Sequence, residues 1–252
     1  MKLGLVTYNM AKDWDIDTII DMCEKTGFQG VELRTTHAHK VEVDLSSDER
    51  KAVKQRFENS KITLVGLGSA FEYHSPDQAE VRKHIEGTKE YVKLAKDVGA
   101  SGVKVRPNGL PNEVPVEKTL EQIGLALKEC GKFAKDYDIE IRLEVHGGGT
   151  SHIPYIRQIL DIADCDNVVA CWNSNGGEVE NGSIKNNFSY LAGKIGLVHI
   201  NELWTSYPWA ELFKLLNDSG YKGFCLAEIA GSSDPERVMR YYKALWDSLQ
   251  PV

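Results

Sequence analysis

Cysteine is scarce and scattered in this sequence. The five cysteines are odd in number and are never spaced as C-x-x-C; they are Cys23, Cys130, Cys165, Cys171 and Cys225. This pattern argues against a disulfide framework and against a zinc ribbon. We therefore expect a protein of a reducing compartment, the cytoplasm.

Long apolar runs and dense basic segments are also missing. No apolar stretch approaches the roughly 18 residues that a membrane span needs. The segment MKLGLVTYNM has too short an apolar run for a signal peptide. The formal net charge is −7 and no Lys/Arg block occurs, so little in the sequence could hold a phosphate backbone. These absences predict a soluble protein with neither membrane nor nucleic acid as a partner. A homo-oligomer is compatible with them.

Short apolar runs rich in β-branched residues alternate with longer amphipathic ones. The eight candidate strands are KLGLVT, GVELR, ITLVGLG, GVKVRP, IEIRLEVH, NVVACWN, KIGLVHI and GFCLAEI. Apolar spacings of three and four predict helices over residues 15–25, 47–59, 76–97, 116–137, 153–163, 186–192, 209–217 and 235–249.

Eight strand signals, each followed by a helix, predict parallel strands that close into a single (β/α)8 TIM barrel over residues 1–252. The alternative is an open doubly wound sheet. That fold favours a Gly-rich phosphate loop, and no G-x-G-x-x-G follows the first strand. No linker, low-complexity tract or shift in composition divides the chain.

Polar side chains accumulate where the predicted strands end. They are Tyr8, Glu32, Arg34, Ser69, Lys104, Arg106, Glu144, His146, Asn173, His199 and Glu228. In a βα barrel these ends share the face that carries the active site, whereas interior positions are normally apolar. A glutamate within CLAEIAG or IRLEVHG is costly to bury unless it is paired or ligated. We therefore expect a functional site at this face.

Four of these residues recur at steps of 29, 26 and 29, about one βα unit each: Glu144, Asn173, His199 and Glu228. They are expected to converge from the last four strands. Two carboxylates, one amide oxygen and one imidazole suit a divalent cation such as Mn²⁺, Mg²⁺, Co²⁺ or Zn²⁺. Sulfur ligands are absent, which argues against a structural zinc.

The whole chain resembles the sugar phosphate isomerase/epimerase family of the xylose-isomerase-like TIM barrel superfamily. The motifs that carry the resemblance are GFQGVELR, LAKDVGASGVKVRP, LEVHGG, VHINE and GYKGFCLAEIAG. In ketose epimerases of this group a Glu, an Asp, a His and a second Glu hold a metal, and the two glutamates exchange the proton. The resemblance thus implies Glu144, Asn173, His199 and Glu228 as metal ligands, with Glu144 and Glu228 catalytic.

The stretch VVACWNSNGG departs from that family, which usually has Asp at the end of the sixth strand and His three residues later. This chain has Asn173 and Gly176. Asn173 is either a turn residue or a neutral oxygen ligand. As a ligand it would leave a formally neutral site with a more strongly polarising cation. The third reading is that the metal has been lost.

The other polar residues are predicted to bind substrate: His146, Lys104, Arg106, Glu32, Arg34 and Glu202. For Lys104 and Arg106 the alternative is neutralisation of the nearby glutamates. Glu202 could instead orient the His199 imidazole. His37 and His39 are expected in a loop that could act as a lid, and Trp172 and Trp204 as either stacking platforms for a sugar or rim packing.

We predict an enzyme that isomerises or epimerises a sugar or keto-sugar by proton transfer next to a carbonyl, with a small carbohydrate substrate and a divalent metal. The same site on a substrate with a leaving group would make a keto-glycoside or inosose lyase or dehydratase. A non-catalytic sugar-binding barrel is a second class. A DNA-repair endonuclease of the same superfamily would need more histidine ligands and a basic face than seven histidines and a charge of −7 provide.

Overall fold

Eight parallel strands close into a barrel in the order of the chain, and eight helices surround it, in a computed structural model that describes residues 1–251. The strands are β1 Lys2–Val6, β2 Gly30–Arg34, β3 Thr63–Glu72, β4 Gly102–Arg106, β5 Glu140–Glu144, β6 Val168–Asn173, β7 Ile195–Ile200 and β8 Phe224–Ala227. The predicted (β/α)8 TIM barrel is confirmed, and the open doubly wound alternative is wrong because β1 pairs with both β2 and β8.

The helices follow the strands one for one. They are α1 Ile16–Thr26, α2 Ser47–Glu58, α3 Gln78–Val98, α4 Val116–Lys135, α5 Ile153–Ala163, α6 Lys185–Leu191, α7 Trp209–Asp218 and α8 Pro235–Leu249. All eight helix predictions overlap the observed helices. In the part of the chain that the structure describes, no helix combines the length and the apolarity needed to cross a bilayer.

Local signals set where several helices begin and end. Asp15 accepts a hydrogen bond from the Thr18 amide at the start of α1, and Gly27 ends that helix in the left-handed conformation at φ 80°. At α2, Ser46 and Glu49 form a reciprocal capping box. Such caps satisfy amide groups that the first helical turn leaves unpaired.

The barrel lumen is filled in layers. Near its amino-terminal end, the Arg142 guanidinium donates to the Val65 carbonyl oxygen at 2.9 Å and pairs with Glu140 at 2.8 Å. Above it lies an apolar layer formed by Val6, Val65, Cys171, Leu197 and Leu226. All five cysteines of the chain are free thiols. The lumen is therefore a packed core, and only its carboxyl-terminal end carries the polar residues of the site.

β3 is longer than the sequence predicts. The pattern ITLVGLG ends at Gly68, but the strand continues to Glu72. Its pairing with β4 is irregular, because Gly68 lies opposite Lys104 whereas Glu72 lies opposite Arg106. The extra residues carry Glu72 to the rim of the barrel mouth.

Candidate metal and substrate site

The carboxyl-terminal ends of the strands surround a group of buried polar side chains. Successive side chains of a strand alternate between its faces. Asn173 on β6, His199 on β7 and Glu228 just after β8 each lie two residues beyond a member of the apolar layer and therefore point to the same side of the sheet. Asn173 lies opposite His199 in the sheet, and Glu144 ends β5 next to β6. These four predicted residues are thus brought together at one end of the lumen.

Glu144, His199 and Glu228 form the centre of this group, because one potential ligand atom of each lies within 4.8 Å of the others. His199 Nδ1 is 3.4 Å from Glu144 Oε1 and 3.8 Å from Glu228 Oε2. The imidazole is fully buried, and Nδ1 has no hydrogen-bond partner. A buried polar atom without a partner requires an explanation. Two carboxylates and an imidazole nitrogen fit a divalent cation, and such a cation would be the missing partner of Nδ1.

Asn173 is the last residue of β6 and is buried beside this centre. Its amide Nδ2 donates to Glu144 Oε1 at 2.9 Å, while its Oδ1 is buried without a hydrogen bond. The turn itself begins beyond it, where Ser174 Oγ accepts from the Asn201 amide and Gly176 adopts φ 88°. Asn173 therefore has a neutral oxygen free for a ligand, and its backbone is not that of a turn residue.

Glu32 lies on the opposite side of the His199 imidazole. It is fully buried, neither of its carboxylate oxygens has a hydrogen-bond partner, and Oε1 is 3.4 Å from His199 Nε2. Carboxylates thus lie 3.4 Å from both ring nitrogens; with a cation at Nδ1, Glu32 would accept the hydrogen that Nε2 carries. We predicted a substrate-binding role for Glu32; the structure places it behind the imidazole, where it can fix the orientation of the ring.

Lys104 forms a buried ion pair with Glu144, with 2.8 Å between Nζ and Oε2. Burial alone would lower the pKa of Lys104, but the carboxylates of Glu144 and Glu32 outweigh it and raise that pKa above its ordinary value. The inner site holds three carboxylates, those of Glu32, Glu144 and Glu228, and one ammonium, that of Lys104. Its formal charge is therefore −2. This charge matches one divalent cation.

A second polar group lies on the rim, in the strand ends and loops after β3, β4 and β5. Arg106 Nη2 donates to Glu72 Oε1 at 2.5 Å, and Asn108 Nδ2 donates to the same oxygen at 2.6 Å. Asn108 Oδ1 is 2.7 Å from His146 Nδ1. Burial lowers the pKa of His146 and favours the neutral ring. Arg106 is thus engaged by Glu72, away from the inner glutamates.

Glu72 and Asn108 were missed by sequence reasoning. Glu72 falls outside the predicted third strand, and Asn108 belongs to RPNG, which has the composition of an ordinary turn. The one available signal was a carboxylate in AFEYH shortly after an apolar strand. The contact between them joins the end of β3 to the loop after β4, which periodicity along the chain does not encode.

The remaining predicted substrate residues lie farther from the centre. The Arg34 guanidinium lies over the Tyr8 ring, 5.2 Å from its centroid. Glu202 Oε1 accepts from the Ala230 amide at 3.4 Å and lies beyond ion-pair distance from His199. The predicted contact between Glu202 and the imidazole is therefore not formed, and Glu32 takes that position.

The predicted loop histidines and tryptophans have distinct environments. His37 Nδ1 is 2.9 Å from the Thr7 hydroxyl, and His39 Nε2 donates to the Arg34 carbonyl oxygen at 2.7 Å. Trp172 is fully buried, so it cannot stack on a sugar from the mouth. Trp204 is 75% exposed in the loop after β7. Of the two tryptophans, only Trp204 is available to a ligand.

Three solved structures share this fold over nearly their whole length. An IolI protein with a bound zinc atom is 18% identical, with a TM-score of 0.83 over 99% of this chain and 98% of that one. The 3-keto-D-glucoside 4-epimerase YcjR from E. coli is 14% identical, with a TM-score of 0.82 over 98% and 99%. D-psicose 3-epimerase from Clostridium cellulolyticum H10, solved with D-tagatose, is 16% identical, with a TM-score of 0.79 over 100% of both chains.

At these identities the likeness establishes the fold and not the activity. A comparison with curated proteins gave no match. The family model for the xylose isomerase-like TIM barrel matches residues 20–246, which is most of the barrel and includes all four residues of the inner site. The chain belongs to the xylose isomerase-like TIM barrel family.

Proposed function

We propose that this protein is a divalent-metal-dependent isomerase or epimerase that transfers a proton next to the carbonyl of a sugar or keto-sugar. The observation that carries the proposal is the convergence of Glu144, His199 and Glu228 within 4.8 Å at the barrel mouth. The unpartnered Asn173 Oδ1 supplies a fourth donor. Proteins of similar fold, including a ketose 3-epimerase and a keto-glucoside epimerase, support the same class.

These four residues would hold the cation, with the imidazole coordinating through Nδ1. When bound, a divalent cation polarises a carbonyl oxygen and makes the hydrogen on the neighbouring carbon more acidic. The chain supplies the groups that accept and return that proton. Lys104 and Glu32 keep the inner site at a charge that accommodates both the cation and a polar substrate.

The two glutamates differ in how freely they can move a proton. Both oxygens of Glu144 are engaged, one by Lys104 and the other by Asn173. No side chain among residues 1–251 hydrogen-bonds the Glu228 carboxylate, and its side chain is 14% exposed. Glu228 is therefore assigned as the base that removes the proton. For a balanced epimerisation the proton that Glu228 removes leaves to solvent from its 14% exposed side chain, and Glu144 is assigned as the group that passes a solvent-derived proton back to the carbon.

This asymmetry also favours a second candidate, a lyase acting on a keto-glycoside. Glu228 would take the proton next to the carbonyl, and the C–H electron pair would form the new double bond. The leaving oxygen would depart with its bonding pair and take up a proton from Lys104. Product analysis with 3-keto-glycosides separates the two candidates, because only the lyase releases a free alcohol or sugar.

The test is hydrogen exchange in deuterated water with Mn²⁺-loaded protein and three substrate classes: free ketoses, sugar phosphates and 3-keto-glycosides. We expect Glu228→Gln to lower exchange at least about 100-fold, because a positioned base contributes about that factor or more. Glu144→Gln should lower exchange similarly. Exchange at the wild-type rate in both variants would remove the two glutamates from the reaction.

Two controls separate chemistry from stability. Glu113→Gln changes an exposed glutamate of the loop after β4 and should leave exchange unchanged. Glu144→Gln should also lower the free energy of unfolding by roughly 3 kcal/mol, because it removes the one carboxylate that is hydrogen-bonded to the buried Lys104. Glu228→Gln breaks no hydrogen-bonded ion pair and should unfold close to the wild-type urea concentration.

A further inference from the structure

The rim group Arg106, Glu72, Asn108 and His146 forms a continuous chain of hydrogen bonds that ends at the barrel mouth. None of these residues belongs to the metal-ligand group. Each of β3, β4 and β5, or the loop that follows it, contributes to the chain. The chain therefore links three successive βα units beside the site.

The Glu72 carboxylate determines the orientation of the Asn108 amide. A carboxylate only accepts hydrogen bonds, and Arg106 Nη2 already donates to this same Glu72 oxygen. The amide must therefore present Nδ2 to Glu72, as the 2.6 Å contact has it. Turning the amide round would place two oxygens against each other. Asn108 Oδ1 is then left facing His146.

The amide in turn determines the tautomer of His146. An amide oxygen only accepts, so the ring nitrogen 2.7 Å away, Nδ1, must donate its hydrogen. In a neutral ring the other nitrogen, Nε2, is then unprotonated. Nε2 makes no hydrogen bond with any described residue and is not among the buried unpartnered atoms. Nε2 is therefore accessible to solvent.

The backbone holds the two loops at the distance this contact needs. A Cβ atom at Gly147 would lie 2.6 Å from Asn108 Cα, so a larger residue there would force the loops apart. Asn108 itself has φ 61°, a left-handed conformation that asparagine tolerates better than most residues. Asn108 and Gly147 therefore fix the position of the amide against the imidazole.

We propose that Asn108, oriented by Glu72, is a positioning residue that holds His146 as the Nδ1–H tautomer, so that Nε2 accepts a hydrogen bond from a hydroxyl group of the substrate. The carbohydrate nature of that hydroxyl rests on the proposed function. The tautomer itself follows from the geometry alone. This relay, the hydrogen-bond chain from Glu72 through Asn108 to His146, would select substrates with a hydroxyl donor at that position over analogues that lack it.

The first experiment reads the His146 tautomer by ¹⁵N NMR of protein labelled at histidine. We expect a protonated Nδ1 and an unprotonated Nε2 in the wild type. Asn108→Gly removes the amide while keeping a residue suited to φ 61°, and Glu72→Gln allows the amide to turn round; both should lose the single tautomer. Asn112→Gly, an exposed position in the same loop, should keep it.

A wild-type ring protonated at Nε2, or a single Nδ1–H tautomer retained in both Asn108→Gly and Glu72→Gln, would overturn the positioning role. The second experiment titrates the Mn²⁺-loaded protein with xylitol as a hydroxyl-bearing probe. Loss of one neutral hydrogen bond should weaken xylitol binding about threefold to tenfold in Asn108→Gly but not in Asn112→Gly. Equal affinities in the two variants would overturn the hydroxyl contact.

The two experiments also separate this inference from the proposed function. If wild-type protein catalyses no exchange with any sugar but shows the Nδ1–H tautomer, the proposed function fails and the positioning role of Asn108 stands. If exchange occurs while His146 has the other tautomer, the proposed function stands and the relay fails.

Discussion

Asn173 controls how negative the inner site is. Its amide adds no charge, donates to Glu144 through Nδ2 and leaves Oδ1 unpartnered. An aspartate there would add one negative charge directly against the cation. The charge of the ligand set tunes both the affinity for a divalent ion and the strength with which that ion polarises a substrate. Asparagine at this position therefore favours stronger polarisation of a substrate by the cation, whereas aspartate would favour tighter binding of the cation.

We predict that Asn173→Asp binds Mn²⁺ at least about tenfold more tightly, because an added charge next to the cation contributes more than about 1.4 kcal/mol. Turnover of the metal-loaded enzyme should fall, since the cation is less electrophilic. Calorimetric titration of metal-free protein measures the affinity. Asn175→Asp, which adds the same charge in the adjacent loop, is the control and should change affinity much less. Equal Mn²⁺ affinities in Asn173→Asp and wild type would remove Asn173 from the ligand set.

The residues of the inner site can be predicted from the sequence because each successive βα unit of the barrel contributes one of them. Glu144, Asn173, His199 and Glu228 recur at about the length of one βα unit, and each lies at or next to the end of a strand. Their convergence is a consequence of the fold. The partner of each side chain is not encoded in that repeat, so the proximity of Glu32 to His199 and the orientation of Asn108 required the three-dimensional structure.

At the scale of elements, the number and order of strands and helices follow from hydrophobic periodicity, but the end of β3 does not. Apolar alternation stops at Gly68, while main-chain pairing with β4 resumes at Glu72 after an irregular stretch. The residues between include Ser69, whose hydroxyl donates to the Lys104 carbonyl oxygen at 2.6 Å. This contact between strands replaces part of the regular ladder, and no pattern along one strand reveals it.

The glycines of β3 make room for a carboxylate of the neighbouring strand. A Cβ atom at Gly68 would lie 2.8 Å from Glu32 Oε1 and 3.0 Å from Arg34 Cγ. Both are closer than a methyl group can approach without a shift. Gly68 thus lets Glu32 remain next to the imidazole of His199. At Gly68, β3 thus contributes space for the Glu32 carboxylate rather than a side chain of its own.

We predict that Gly68→Ala displaces Glu32 and weakens Mn²⁺ binding about tenfold, the lower end of the loss typical when a residue that orients a metal ligand is changed. Gly177→Ala is the matched control, because no heavy atom lies within 4 Å of a Cβ built there. Calorimetric titration measures the affinity, and circular dichroism checks that both variants are folded. A folded Gly68→Ala protein with wild-type Mn²⁺ affinity would contradict the role assigned to Glu32.

At the scale of the whole molecule, the inner site gathers several carboxylates at one end of the barrel. Glu32, Glu144 and Glu228 bring three carboxylates close to one another, and Lys104 offsets only one of them. The chain as a whole also has a formal charge of −7. Like charges in a poorly solvated lumen repel more strongly than charges in water. A cation that binds only the folded barrel removes part of this repulsion.

We therefore predict that removal of metal with EDTA lowers the thermal midpoint of the whole barrel. At a free Mn²⁺ concentration 100 times the dissociation constant, binding stabilises the folded state by about 2.7 kcal/mol. For a chain of this size that energy corresponds to a shift of roughly 5–11 °C. Calorimetric scans with and without Mn²⁺ measure it. His199→Gln should abolish most of the shift, because it removes the ligand nitrogen without adding charge. If the wild-type thermal midpoint does not respond to Mn²⁺, Co²⁺ or Zn²⁺, the unpartnered atoms of His199 and Asn173 do not bind a metal. A sugar-binding barrel without catalysis would then explain this site better than a metal-dependent enzyme.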